Sequence, residues 1–188
     1  VDAAGGTAYF EWTLLFRNLV SESREARCLL RLPPGGVVSP AVLWVNEEPR
    51  DAVFAGRAAA RSAYESVVRV RRDPLLVTTA GTDHVLVQCF PGQSKATMKI
   101  RLGISAPVIA MDGGGGAMSL PCIVERNFAV PDELAHHVWL EAATPLRSRA
   151  DGMLAEARDA TFTLRGDLSD AALCDPTSAV RIDAVPQV

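Results

Sequence analysis

The sequence predicts a mainly β protein, an antiparallel β-sandwich with one inserted amphipathic α-helix over about residues 57–72. Three observations predict it. Apolar and polar residues alternate with period two in several short runs, the pattern of half-buried strands. Clusters of Gly, Pro, Asp and Ser separate those runs at close spacing, as in sandwiches. Between them, the hydrophobic period changes from helical to strand-like across a single Asp73-Pro74.

In chain order, Ala8, Phe10, Trp12, Leu14 and Phe16 share one parity against Tyr9, Glu11, Thr13 and Arg17. Residues 8–20 therefore read as one long strand with its even positions, Trp12 included, toward the core. Ser21-Glu22-Ser23 is a polar turn. Cys28, Leu30 and Leu32 then alternate with Arg27 and Arg31 until Pro33-Pro34-Gly35-Gly36 ends the run. A short strand follows at Val42 to Val45, stopping near Asn46.

The helix is argued position by position. Ala60, Tyr64, Val67 and Val68 form one apolar stripe, the face expected to be buried, with Tyr64, Val67 and Val68 as its core anchors. Opposite them lie Arg57, Arg61, Glu65 and Arg69, where the Glu65 to Arg69 order adds roughly 0.2–0.5 kcal/mol. Pro74 lacks an N–H and disfavours helical geometry at Asp73, so the helix stops by about Arg72 and a strand starts at Leu75. Val85, Val87 and Cys89 alternate with His84, Leu86, Gln88 and Phe90, and Met98, Ile100 and Leu102 with Thr97, Lys99 and Arg101. With turns at Ala80-Gly81-Thr82-Asp83 and Pro91-Gly92, these three strands are expected to form a meander.

The pieces Glu25-Ala26-Arg27, Leu32-Pro33, Val42 to Asn46, Ala60-Arg61 with Tyr64-Glu65, Asp73-Pro74-Leu75-Leu76, and Val85 to Pro91 before Lys95 to Leu102 have a recognisable order and spacing. Together they resemble the VIT domain shared by vault proteins, inter-alpha-trypsin inhibitor heavy chains and bacterial surface proteins. The likeness covers roughly Ala8 to Pro107. Many relatives carry Phe-Pro-Ile where this chain has Phe90-Pro91-Gly92, a departure in the local loop.

What the resemblance implies is a non-catalytic protein-interaction or scaffolding module of a larger bacterial envelope-associated or surface protein. Its partner is then another protein or a neighbouring domain of the same precursor, such as a von Willebrand factor A domain, and its location is extracytoplasmic or membrane-associated through the rest of that precursor. Because the chain opens on Val1 within strand-forming sequence, it is expected to be cut from such a precursor. The charged helix face, Arg57, Arg61, Glu65 and Arg69 with Arg71 and Arg72, is the expected interaction surface. A basic cluster at a helix end also complements the helix dipole without any ligand.

Residues 1–110 are read as the VIT-like sandwich core and residues 111–117, with Gly113 to Gly116, as a glycine-rich loop. Residues 118–188 are read as a β-rich extension added to the same sandwich, because its pieces are too short to bury a core alone. Its strands are expected at Ile123 to Val130, His137 to Ala142, Thr161 to Leu164 and Val180 to Val185. Met153 to Arg158 reads equally as helix or strand.

Composition excludes several classes. A net charge of −3 without a basic face argues against nucleic-acid binding. No run approaches the roughly 20 apolar residues of a membrane-spanning helix, so direct insertion by this segment is not expected. No phosphate loop or Cys-x-x-Cys pair calls for a cofactor or metal, and Asp175-Pro176-Thr177-Ser178 misses the Asp-x-Ser-x-Ser spacing of an adhesion metal site.

Cys28, Cys89, Cys122 and Cys174 are read as buried free thiols, with a Cys28–Cys89 bridge the alternative in an oxidising compartment. His136 and His137, beside Asp132 and Glu133, have metal-ligating chemistry, but adjacent strand residues face opposite ways. His84 is read as structural. No nucleophile motif surrounds Ser62, Ser66, Ser94 or Ser119, so a hydrolase using His136 is the least favoured reading. The main alternative is a carbohydrate- or small-ligand-binding sandwich using Trp12, Trp44 and Trp139, weakened because Trp12 faces inward by parity.

Overall fold

The alternation of the first strand becomes an unbroken antiparallel ladder. In the computed structural model, which describes residues 1–45, 47–52, 62–65, 75–90, 97–112 and 114–183, Thr7–Arg17 forms β1 and pairs along its whole length with β7, Thr97–Pro107. Ala8, Phe10 and Leu14 are buried and Trp12 and Phe16 half-buried, while Tyr9, Glu11, Thr13 and Leu15 face outward. The even positions are therefore the inward ones, as their parity requires.

The remaining strands are β2 (Ala26–Arg31), β3 (Val37–Val45), β4 (Glu48–Asp51), β5 (Leu75–Thr79), β6 (His84–Cys89), β8 (Ile109–Ala110), β9 (Gly116–Met118), β10 (Cys122–Arg126), β11 (Ala135–Ala142), β12 (Leu146–Ser148), β13 (Leu154–Arg158), β14 (Thr161–Ser169) and β15 (Val180–Ile182). They form four antiparallel sheets, ordered β1-β7-β3-β4, β10-β2-β6-β5, β11-β14-β13 and β12-β15-β9-β8. One buried cluster draws on all four, with Ile100 and Leu102 from the first, Leu30 and Val87 from the second, Leu164 and Leu168 from the third, and Leu146 and Val180 from the fourth.

Residues 62–65 are helical (α1) and bury Tyr64, in keeping with the expected apolar stripe. Ala60, Val67, Val68, Arg57, Arg61, Arg69, Arg71 and Arg72 lie outside the described residues. A second short helix, α2 (Asp170–Cys174), is capped by Ser169, whose Oγ accepts the Ala172 N–H at 3.1 Å.

The structure corrects several expectations. There is no β5-β6-β7 meander: β6 pairs with β5 and β2, whereas β7 lies in the other sheet between β1 and β3. Alternation is the same in either sheet, so it carries no information on the crossing. The third strand is longer than Val42 to Val45, beginning at Val37 and accommodating Pro40 through a register shift between Val38 and Ala41.

Gly114 and Gly115 of the glycine-rich stretch lie in the turn of the β8–β9 hairpin, and Gly116 opens β9. Gly114 and Gly115 take positive φ, and the Met111 N–H donates to the Gly115 carbonyl at 3.2 Å. Met153 to Arg158 resolves as strand, with β13 exposed along its whole length.

Cys122 and Cys174 form a disulfide, with Cα atoms 5.3 Å apart, tying α2 to β10, while Cys28 and Cys89 are free and buried. The thiol reading thus holds for one pair and fails for the other, because residues 52 apart in sequence are brought together only by the packing of α2 on β10.

Candidate functional site

Two edge strands, β1 of the first sheet and β11 of the third, flank a cleft of about 140 Å³. Tyr9 to Trp12 line one side and His136 to Leu140 the other, with buried Leu120 and Leu173 between them. The local sequence explains which side chains reach it. On β11 the odd residues His137, Trp139 and Glu141 are exposed and the even residues His136, Val138, Leu140 and Ala142 are turned inward.

Tyr9 and Trp139 are large aromatics left 51% and 60% exposed. The Tyr9 hydroxyl donates to Glu11 Oε1 at 3.3 Å, and Arg101 donates to Glu11 Oε2 at 3.4 Å. Partial burial raises the Tyr9 phenol above its ordinary range, with further upward contributions from the Glu11 charge and hydrogen bond. The Trp139 indole N–H donates to Glu141 at 2.9 Å, and the Arg165 guanidinium sits 5.6 Å from the ring centre.

Gly103 lets this arrangement form. A Cβ there would sit 2.3 Å from Pro40 Cγ and 2.5 Å from the Tyr9 hydroxyl oxygen, so a side chain on β7 would push Tyr9 away.

The two histidines separate as the strand period requires. His136 lies edge-on to Trp12 at 6.0 Å and places Nε2 3.2 Å from Asp170 Oδ1, a carboxylate that also accepts from Arg126 at 2.5 Å. His137 instead faces Asp167, with Nδ1 2.5 Å from Oδ1. Asp132 and Glu133 are exposed, and no group of three metal-ligating side chains occurs among the described residues. His84 contacts the Thr82 carbonyl through Nδ1 at 2.6 Å, within its own turn.

A second constellation lies under α1. The Tyr64 hydroxyl donates to Glu25 Oε1, and Gln88 Nε2 donates to the same oxygen at 3.2 Å. Burial pushes the Cys28 thiol up to about 12, and burial followed by the nearby Cys28 and Glu25 groups raises Cys89. Neither forms a thiolate near neutral pH, so neither is a nucleophile there.

Of the expected helix surface only Glu65 is described, and it is exposed; Arg57, Arg61, Arg69, Arg71 and Arg72 lie outside the described residues. Trp12 and Trp139 share the cleft. Trp44 does not: Lys99 and Arg101 lie 4.3 and 5.5 Å from its ring centre. Sequence reasoning missed Tyr9, Glu11 and Glu25. The outward parity of Tyr9 and Glu11 was the available signal, since an aromatic on the polar face of an amphipathic strand has no core to enter.

Against known proteins, no family model matches the chain, and no curated protein matches it.

Proposed function

We propose that the chain is a non-catalytic protein-interaction or scaffolding module with a VIT-like fold, part of a larger bacterial envelope-associated or surface protein. In this reading the first two sheets form a sandwich, and the helix containing Tyr64 packs on it with its charged face toward a partner protein or a neighbouring von Willebrand factor A domain. The observation that carries it is the convergence on Glu25: Glu25-Ala26-Arg27, Tyr64-Glu65 and the Val85 to Pro91 strand, three separate pieces of the VIT-like pattern, meet at one carboxylate.

The Cys122–Cys174 bridge supports an extracytoplasmic location, because structural disulfides persist in oxidising compartments. Among the described residues, no helix is long and apolar enough to cross a membrane. A non-catalytic role is favoured by two protonated buried thiols and by histidines held on opposite strand faces.

The test is a photo-crosslinking residue at Glu65 in cells that make the full-length protein. A discrete protein adduct, lost when Arg69→Glu and Arg72→Glu are combined, is the expected result. No adduct, or one indifferent to the charge reversal, counts against the reading.

A further inference from the structure

We propose that the cleft between β1 and β11 binds a neutral saccharide, with the rings of Tyr9 and Trp139 as stacking surfaces and Glu11 and His137 as hydrogen-bonding groups. This site shares no lining residue with the expected helix surface and does not depend on the interaction role above.

Three features select that ligand class. Tyr9 and Trp139 come from different sheets, yet both flank one concavity and both are more than half exposed. The electron-rich face of an aromatic ring attracts C–H groups, and a pyranose ring offers an apolar C–H face beside its hydroxyls. Arg165 lies over Trp139, so a sugar stacks on the opposite face of that ring.

The charges at the rim are of both signs. Glu11 faces Arg101, His137 faces Asp167, and Trp139 lies between Glu141 and Arg165. No single sign dominates, which favours a neutral ligand over an ion. Concave sites lined by aromatics with a few directed polar groups are the usual form of small-molecule pockets.

The polar groups are also available for exchange. Both contacts of Glu11 are long, at 3.3 and 3.4 Å, so a ligand hydroxyl can replace either with a shorter, charge-assisted bond. Asp167 engages Nδ1 of His137, and Nε2 has no partner among the described residues. A cavity of about 140 Å³ is on the scale of one sugar ring, so recognition is of a terminal or single residue.

The test is binding of the 188-residue chain to immobilised neutral gluco-, manno-, galacto- and xylo-oligosaccharides, with heparin as the anionic comparison. Retention on at least one neutral glycan is expected, weakened about tenfold or more by Trp139→Ala and by Tyr9→Ala, since each stacked ring is worth about one decade of affinity. Leu154→Ala, on a strand outside the cleft, is expected to leave binding unchanged. Should an alanine variant fail to fold, Trp139→Phe serves instead, and the saturating glycan is expected to shift the tryptophan emission of the parent chain more than that of the variant. Binding to heparin alone, to no neutral glycan, or with equal strength in the cleft variants overturns the proposal.

Discussion

Tyr64 donates its hydroxyl hydrogen to the carboxylate of Glu25, a residue 39 positions earlier, and so fastens the helical turn that carries it to the segment leading into β2. The same oxygen accepts from Gln88 on β6, so one carboxylate joins three distant parts of the chain.

Truncating that anchor is expected to be costly. Tyr64→Ala should destabilise the fold by about 3–5 kcal/mol through loss of a buried aromatic, and Tyr64→Phe by about 1–2 kcal/mol through the lost hydrogen bond. Urea unfolding followed by circular dichroism measures both. A near-neutral Tyr64→Ala variant would place the tyrosine outside the core.

Alkaline pH should weaken the protein through its buried thiols. Cys28 has a folded pKa of about 12 against an ordinary 9.0, so the folded state holds the proton more tightly. That contribution is complete below about pH 9 and is lost as pH rises toward about 12. Cys89 shifts in the same direction. Urea midpoints at pH 8 and pH 10 are expected to differ less in a Cys28→Ala, Cys89→Ala variant than in the parent. Equal drops in the two proteins would assign the effect to other groups.

Reduction should also destabilise. The Cys122–Cys174 bridge closes a loop of 52 residues, for which chain entropy predicts a loss of up to about 4 kcal/mol on opening. Two thiols should react in denaturant without reductant and four with it. An unfolding midpoint unmoved by dithiothreitol would show that α2 needs no covalent tether.

Gly103→Ala tests the packing beside the cleft. The added methyl meets both Pro40 and the Tyr9 hydroxyl, and overpacking of this kind costs about 1–3 kcal/mol. Because the Tyr9 side chain can move more easily than the closed ring of Pro40, the variant should also lose glycan affinity. Full stability with full binding would show that both neighbours relax freely.

Much of the strand pattern was legible because it is local. In β1, Ala8, Phe10 and Leu14 turn inward and Tyr9 and Glu11 outward, and the alternation of β6 places Val85, Val87 and Cys89 inside. The opposed faces of His136 and His137 follow from the same period. The candidate cleft was only partly legible. Trp12 and Trp139 stood out as aromatics, but Tyr9 and Glu11 looked like ordinary outward positions until β11 was placed beside β1.

By itself, the sequence determined which residues of each strand face the core, where Tyr64 sits on its helical turn, and that the chain is rich in β structure. Tertiary structure alone decided that β7 joins β1 rather than β6, that Cys122 meets Cys174, and that Gly114 and Gly115 sit in the turn of a β8–β9 hairpin. The division has a physical basis. Inward and outward parity is set by backbone geometry between adjacent residues, whereas partner choice depends on contacts between distant segments, which a local alternation satisfies equally well in any sheet.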